Sequence, residues 1–183
     1  LYGGMAGVVV LGAVSERWGE GSRGLNVLRA PLILGESALI ALGVVSLLKN
    51  VVGECRPRAW DDTAGQCVGT TRGAVVREDR VAFPSGHTAP LAAMAGAALG
   101  MMVLPSRARI GYWPVLVTAG ALAITNFTLR VVAGAHSWVD TATGFALGAG
   151  LGFGTAALHT VTPSPRWTVG ASPAGLTVAG TFD

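Results

Sequence analysis

Charge is what this chain has least of. Only 13% of its 183 residues are Asp, Glu, Lys or Arg, against about 25% in an ordinary soluble domain. Lysine is almost absent: Lys49 is the only one, and every other basic side chain is arginine. The net charge is +3 and the arginines are scattered rather than gathered on one stripe, so no nucleic-acid partner is indicated. Cysteine is equally scarce. Cys55 and Cys67 share one polar loop and are too few for a common zinc pattern. They fit either a disulfide in an oxidising compartment or two idle thiols. No other set of metal ligands stands out, so neither a metal nor another cofactor is expected.

What the chain has instead is apolar length. It is 51% hydrophobic, with a mean hydropathy of +0.54. A membrane-spanning helix needs about 20 mostly apolar residues. Pro31–Asn50, Ser85–Leu104, Gly111–Val132 and Trp138–Thr160 meet that length, whereas the apolar stretch Tyr2–Val14 is too short to span alone. The fold class expected is all-α, an integral-membrane helical bundle formed by residues 1–162. The glycine-dense run from Gly144 to Gly154 would make a poor soluble helix, but suits close packing between helices in a membrane. The tail, residues 163–183, reads equally as a β-hairpin around Ser-Pro-Ala-Gly or as a segment without structure.

The polar links divide by length. Ser15–Ala30 and Pro105–Ile110 are short and hold Arg17, Arg23, Arg29, Arg107 and Arg109. Short arginine-bearing links mark the cytoplasmic side. Simple alternation then puts the long loop Gly53–Ala82 and the turn Ala133–Ser137 on the other face. Trp18, Tyr112 and Trp113 would mark one interface, and Trp60 and Trp138 the other.

Three polar clusters fall at that second face: Lys49 to Pro57, Pro84 to His87, and Arg130 to Asp140. Any one charge at a membrane edge is more often an anchor than a reagent. Together the three offer cations, two imidazoles, a carboxylate and a helix start, which is a site for a phosphate-like anion. Arginine binds phosphate oxygens in a bidentate fork. Free N–H groups at a helix start near Ser85 and Gly86 add positive potential, and Gly86 allows close approach of the backbone. His136 and Asp140 lie four apart, so on a helix they share a face. A carboxylate behind an imidazole fixes its tautomer and leaves the other nitrogen free to attack. His87 can then protonate a leaving alkoxide. The plainer alternatives are that Ser85 is only an N-cap and that Ser137 with Asp140 is only a capping pair.

Lys49-x6-Arg56-Pro57, Pro84-Ser85-Gly86-His87 and Arg130-x5-His136-x3-Asp140 resemble the tripartite signature of the type 2 phosphatidic acid phosphatase (PAP2) superfamily. The one departure is Leu129, where that pattern has serine before the arginine. The resemblance implies that Lys49, Arg56 and Arg130 bind phosphate oxygens and that Ser85 and Gly86 complete the cradle. It implies further that His136 is a nucleophile forming a phosphohistidine, oriented by Asp140, and that His87 protonates the leaving group. No metal is needed in that family. Its membrane members usually have six transmembrane helices, so the first helix is expected to be absent or shortened here.

The function expected is that of a metal-independent membrane phosphatase acting on a lipid phosphate or diphosphate. Its expected location is a bacterial membrane, with the site on the extracytoplasmic face. One rival is an enzyme like the vanadate-dependent haloperoxidases, whose anion site is similar but whose members are typically soluble. Another is a non-enzymatic bundle lining an anion path. Other polar residues have blander readings. His159 reads as interfacial, and Glu36 as an acid reaching back toward Arg29. Thr125 and Asn126 read as interhelical hydrogen bonders. Arg58, Arg72, Arg77 and Arg80 read as solvated loop charges.

Overall fold

The computed structural model of the chain describes residues 1–20, 27–69, 75–105, 110–161, 166–172 and 175–181. Its frame is five helices: α1 (Tyr2–Glu20), α2 (Arg29–Val52), α3 (Ala89–Val103), α4 (Trp113–Val132) and α5 (Trp138–Val161). Among the described residues three stretches are long and apolar enough to cross a membrane: Arg29–Ala59, Ile110–Val132 and Trp138–His159. The all-α bundle expected from the sequence is therefore the fold. Two small antiparallel pairs complete it. β1 (Trp60–Asp61) faces β2 (Gln66–Cys67) in the long loop, and β3 (Arg166–Ser172) pairs with β4 (Gly175–Thr181) in the tail. The tail is thus a hairpin, closed at Ser172 opposite Gly175.

Helix α3 is the axis of the bundle. It packs on α5 most extensively and also on α2 and α4, while α1 lies against α2 and α4. Alanine and glycine dominate its 15 residues, and nearly all of them are buried. At about 1.5 Å per residue it is roughly 22 Å long, short of the ~30 Å hydrocarbon core. It need not reach both surfaces because neighbouring helices, not lipid, surround it. The expected span Ser85–Leu104 is corrected accordingly. The helix begins at Ala89, and Ser85 to Thr88 form a turn ahead of it. Ser85 does not cap that helix through its side chain. Its Oγ lies 3.2 Å from Thr88 Oγ1, while its backbone N–H donates to the Asp140 carbonyl at 2.9 Å. That second bond ties the turn to α5 instead of letting it wind into α3.

The α3–α5 contact explains the glycine-dense run. A Cβ on Gly144 would sit 2.6 Å from the Ser85 carbonyl oxygen, and one on Gly148 or Gly152 would collide with the carbonyl of Ala89 or Ala93. These glycines recur every four residues, so they form one groove in α5 against which the α3 backbone lies.

Other boundaries follow from local chemistry. Gly53 adopts a left-handed conformation (φ 63°) and donates its N–H to the Lys49 carbonyl, which ends α2 one turn beyond Lys49. Helix α1 outruns the apolar stretch Tyr2–Val14 and reaches Glu20, because Ser15 and Glu16 are buried in the bundle rather than starting a link. Tyr112, expected at an interface, is a core residue, while Trp60, Trp113 and Trp138 are exposed. Arg23, Arg72, Arg107 and Arg109 lie outside the described residues.

The groove predicts an asymmetry between two neighbouring glycines. Gly148→Val should lower the thermal unfolding midpoint in detergent by several degrees, overpacking costing roughly 1–3 kcal/mol. Gly150→Val, where a Cβ meets nothing within 4 Å, should leave the midpoint unchanged. Equal effects at the two positions would contradict the packing described.

Candidate active site

The ends of four helices meet at one end of the bundle. Helix α2 brings Lys49 in its last turn, and α4 brings Arg130 in its last turn. Between α4 and α5 the chain reverses through Gly134 (φ 59°), where the left-handed backbone favours glycine. The Arg130 carbonyl accepts from the N–H groups of both Ala135 and His136. That turn buries His136 to 1% exposure and Asp140 completely. The long loop folds back over the same end. Cys55 and Cys67 form a disulfide there, with an S–S distance of 2.06 Å. Of the two sequence alternatives for these cysteines, the bridge is the one present.

Backbone carbonyls aim the cations. Lys49 Nζ donates to the carbonyls of Val81 at 2.5 Å and Ala82 at 3.3 Å. Arg56 donates through Nε to the Glu78 carbonyl at 2.6 Å and through Nη1 to the Ala135 carbonyl at 2.8 Å. Its backbone N–H reaches the Asp79 carbonyl at 2.7 Å. Gly86 faces the Lys49 stem, since a Cβ there would lie 3.3 Å from Lys49 Cε. Arg130 is close enough to act electrostatically on both Arg56 and His87. Leu129, where the family signature has serine, is 61% exposed on the outward side of α4.

Arg56 also bears on the tautomer of His136. Its Nη1 lies 3.4 Å from His136 Nε2. A guanidinium can only donate, so this contact favours the form with the lone pair on Nε2 and the ring proton on Nδ1. Nδ1 is buried without a hydrogen bond among the described residues and stands 3.5 Å from Asp140 Oδ2. That gap is beyond a good hydrogen bond, because the carboxylate has other partners. Its Oδ2 accepts from the Ser137 N–H and its Oδ1 from Ser137 Oγ, both at 2.8 Å. Asp140 therefore caps α5 and backs the imidazole at once.

Both imidazoles at this end are neutral. Burial, then Lys49 and Arg56, lower the His136 pKa to about 4, against the pull of Asp140 and the Ala82 carbonyl. Burial, then Arg130, Arg56 and Lys49, lower His87 to about 4 as well. A neutral ring with an outward lone pair can attack an electrophile. A neutral His87 can donate a proton only after an anion has offset the surrounding cations.

A model of the PAP2 superfamily matches residues 30–162. The chain belongs to the PAP2 superfamily. No curated protein and no solved structure matches it. The PAP2 match spans all three clusters and the helices that bear them, and it places the protein in a family of phosphatase-type phosphoryl transfer.

Some neighbours of this PAP2 site were not singled out from sequence. Thr88 is fully buried beside Ser85, and Asp79 is buried under Arg56. Asp79 sits in the charged run Arg-Glu-Asp-Arg, where nothing in the sequence separates it from solvated acids. Arg58 donates its backbone N–H to the Gly134 carbonyl, and its charge bears on Arg56. At the opposite end, Glu36 lies near Arg29, with His159 between them. It pairs with His159 at 2.7 Å, and Arg29 donates to the His159 carbonyl. Among the described residues no group of three or more His, Cys, Asp or Glu side chains is arranged to hold a metal ion.

The electrostatics predict a titration. Followed by NMR in detergent, His87 and His136 of the free protein should stay neutral down to about pH 5. Saturating phosphate should raise the His87 pKa by a unit or more, because the anion cancels the cations that depress it. Free-protein values near 6.5 for both rings would contradict the account.

Proposed function

We propose that this PAP2 protein is a membrane phosphatase that removes the terminal phosphate from a lipid phosphate or diphosphate through a phosphohistidine. The observation that carries this reading is the setting of His136. Its Nε2 lone pair faces the Arg56 guanidinium, and its Nδ1–H faces Asp140. A phosphoryl group drawn in by Lys49, Arg56 and Arg130 would meet that lone pair. The amide groups of Gly86 and His87, ahead of α3, would receive its remaining oxygens.

The steps follow from the charges. His136 Nε2 attacks phosphorus, the N–P bond forms and the bond from phosphorus to the lipid oxygen breaks. Positive charge appears on the imidazole, and Asp140 stabilises it. His87, its pKa raised by the bound anion, gives the proton to the departing oxygen. A substrate monoanion can bring that proton in. Water then cleaves the N–P bond, with His87 as the base, and releases phosphate. A lipid substrate follows from position. The site lies at the ends of helices long enough to cross a bilayer, the level at which lipid head groups lie.

The site end is proposed to be extracytoplasmic. Arg17 and Arg29 lie at the other end of the bundle, where positive charge marks the cytoplasm. The disulfide at the site end suits an oxidising compartment.

His136→Ala should reduce phosphate release from lipid phosphates by at least 10³-fold, and rapid quenching should trap phosphohistidine only in variants that keep His136. Full turnover in His136→Ala would overturn the mechanism. Asp140→Asn should be milder, because it leaves the nucleophile in place. For orientation, single cysteines at Asp62 and Gly111 in a Cys55→Ser, Cys67→Ser background separate the two faces. An impermeant thiol reagent applied to intact cells should label position 62 and spare position 111. The reverse pattern would place the site in the cytoplasm.

A further inference from the structure

A cleft of about 220 Å³ opens beside Lys49, between the end of α2 and the loop. Ser46, Lys49, Asn50, Arg77, Glu78 and Val81 line it. It adjoins the phosphate site on two counts. Lys49 belongs to both, and Glu78, which lines the cleft, gives its carbonyl to Arg56 Nε.

Arg77 is solvent-exposed at the cleft but is tied to its wall. Its Nη2 donates to Asn50 Oδ1 at 2.7 Å. Asn50 is itself oriented, because its Nδ2 donates to the Ser46 carbonyl one turn back at 2.8 Å. Among the described residues no carboxylate forms an ion pair with Arg77, so its other N–H groups can meet an anion. Glu78 also lines the cleft, but with Lys49 and Arg77 the lining stays net positive.

The cleft has a path to lipid. Leu39, Gly43, Ser46, Leu47 and Asn50 follow one another at helical spacing on α2, and all are exposed. A Cβ on Gly43 would touch nothing within 4 Å. Leu39, Gly43 and Leu47 thus make an exposed apolar strip with a shallow notch at Gly43, and the strip ends at Ser46 and Asn50 on the cleft. A chain lying on it would bring its polar end between Arg77 and Lys49.

Resting on the phosphatase reading above, we infer that Arg77, set by Asn50, forms with Lys49 a subsite for a second phosphate on the leaving-group side of the scissile bond. Lys49 bridges the two phosphates. The substrate class is then a lipid bearing two phosphates, the terminal one transferred to His136 and the inner one retained on the lipid product. In a diphosphate the inner group is directly linked, and in a glycerol-spaced substrate it is a diester. A lipid with a single phosphate would pass through the cleft without using Arg77. Arg77 is thus a specificity-determining residue and not part of the bond-breaking machinery.

The test measures steady-state phosphate release by detergent-solubilised protein from three substrates: a prenyl diphosphate, a phosphatidylglycerol phosphate and a prenyl monophosphate. Arg77→Gln should raise KM about tenfold or more for at least one of the two-phosphate lipids, with kcat nearly unchanged, and leave the monophosphate within twofold. The two-phosphate lipid with the larger change identifies the linkage that the cleft accommodates. Arg77→Lys should recover part of the loss. Asn50→Asp, which keeps Arg77 in place but neutralises it, should reproduce the selective loss. An equal change on all three substrates, or no change on any, would overturn the subsite. Wild-type protein that releases phosphate from none of the three would overturn the phosphatase reading, and the subsite with it.

Discussion

Everything at the site end depends on how closely α3 and α5 approach. Side chains at Gly144, Gly148 and Gly152 would push the two backbones apart. With hydrogen there instead, the Asp140 carbonyl comes within 2.9 Å of the Ser85 N–H. That one bond joins the turn before α3 to the start of α5, and hence the proposed phosphate cradle to His136. In a lipid solvent such contact is favoured by packing rather than by the hydrophobic effect, so small residues at regular spacing are the physical means available.

The second constraint is the crowding of like charge. Lys49, Arg56 and Arg130 would repel one another if left to themselves, and each loses hydration by being drawn into the protein. Carbonyls of Glu78, Val81, Ala82 and Ala135 offset part of that cost with hydrogen bonds. They also fix where the cations point. What they do not supply is negative charge. Burial, and then the residual positive potential, hold both imidazoles toward the neutral form, the state that the proposed nucleophile, His136, requires. In the proposed mechanism an arriving anion completes the charge balance and raises the pKa of His87, the proposed acid.

The sequence made the site more legible than the loop around it. Motif spacing brought out the residues that meet at one end of the bundle, because helical periodicity and alternation of spans are local rules. The sequence places the helix start at Ser85, four residues early, since Ser85 reads as an N-cap, while a long-range bond to α5 holds Ser85 to Thr88 out of α3. Helix α1 was cut short for the same kind of reason: Ser15 and Glu16 read as a link, and only tertiary packing buries them. Asp79 and Arg77 sit together in Arg-Glu-Asp-Arg, a string of solvated charges on paper. One is buried beneath Arg56 and the other is held by Asn50 across the cleft, and no local pattern separates them. The disulfide stood open because two cysteines in a loop do not declare whether they meet.

In the proposed mechanism His136 Nε2, and not His87, is the atom that meets phosphorus. A structure of the protein bound to vanadate tests that most directly, vanadate being an analogue of phosphoryl transfer. The account predicts vanadium bonded to His136 Nε2, its oxygens on Lys49, Arg56 and the Gly86 amide, and His87 beside the oxygen that stands for the leaving group. Vanadate bonded to His87, or held elsewhere while His136 Nε2 still faces Arg56 as in the unliganded protein, would contradict it.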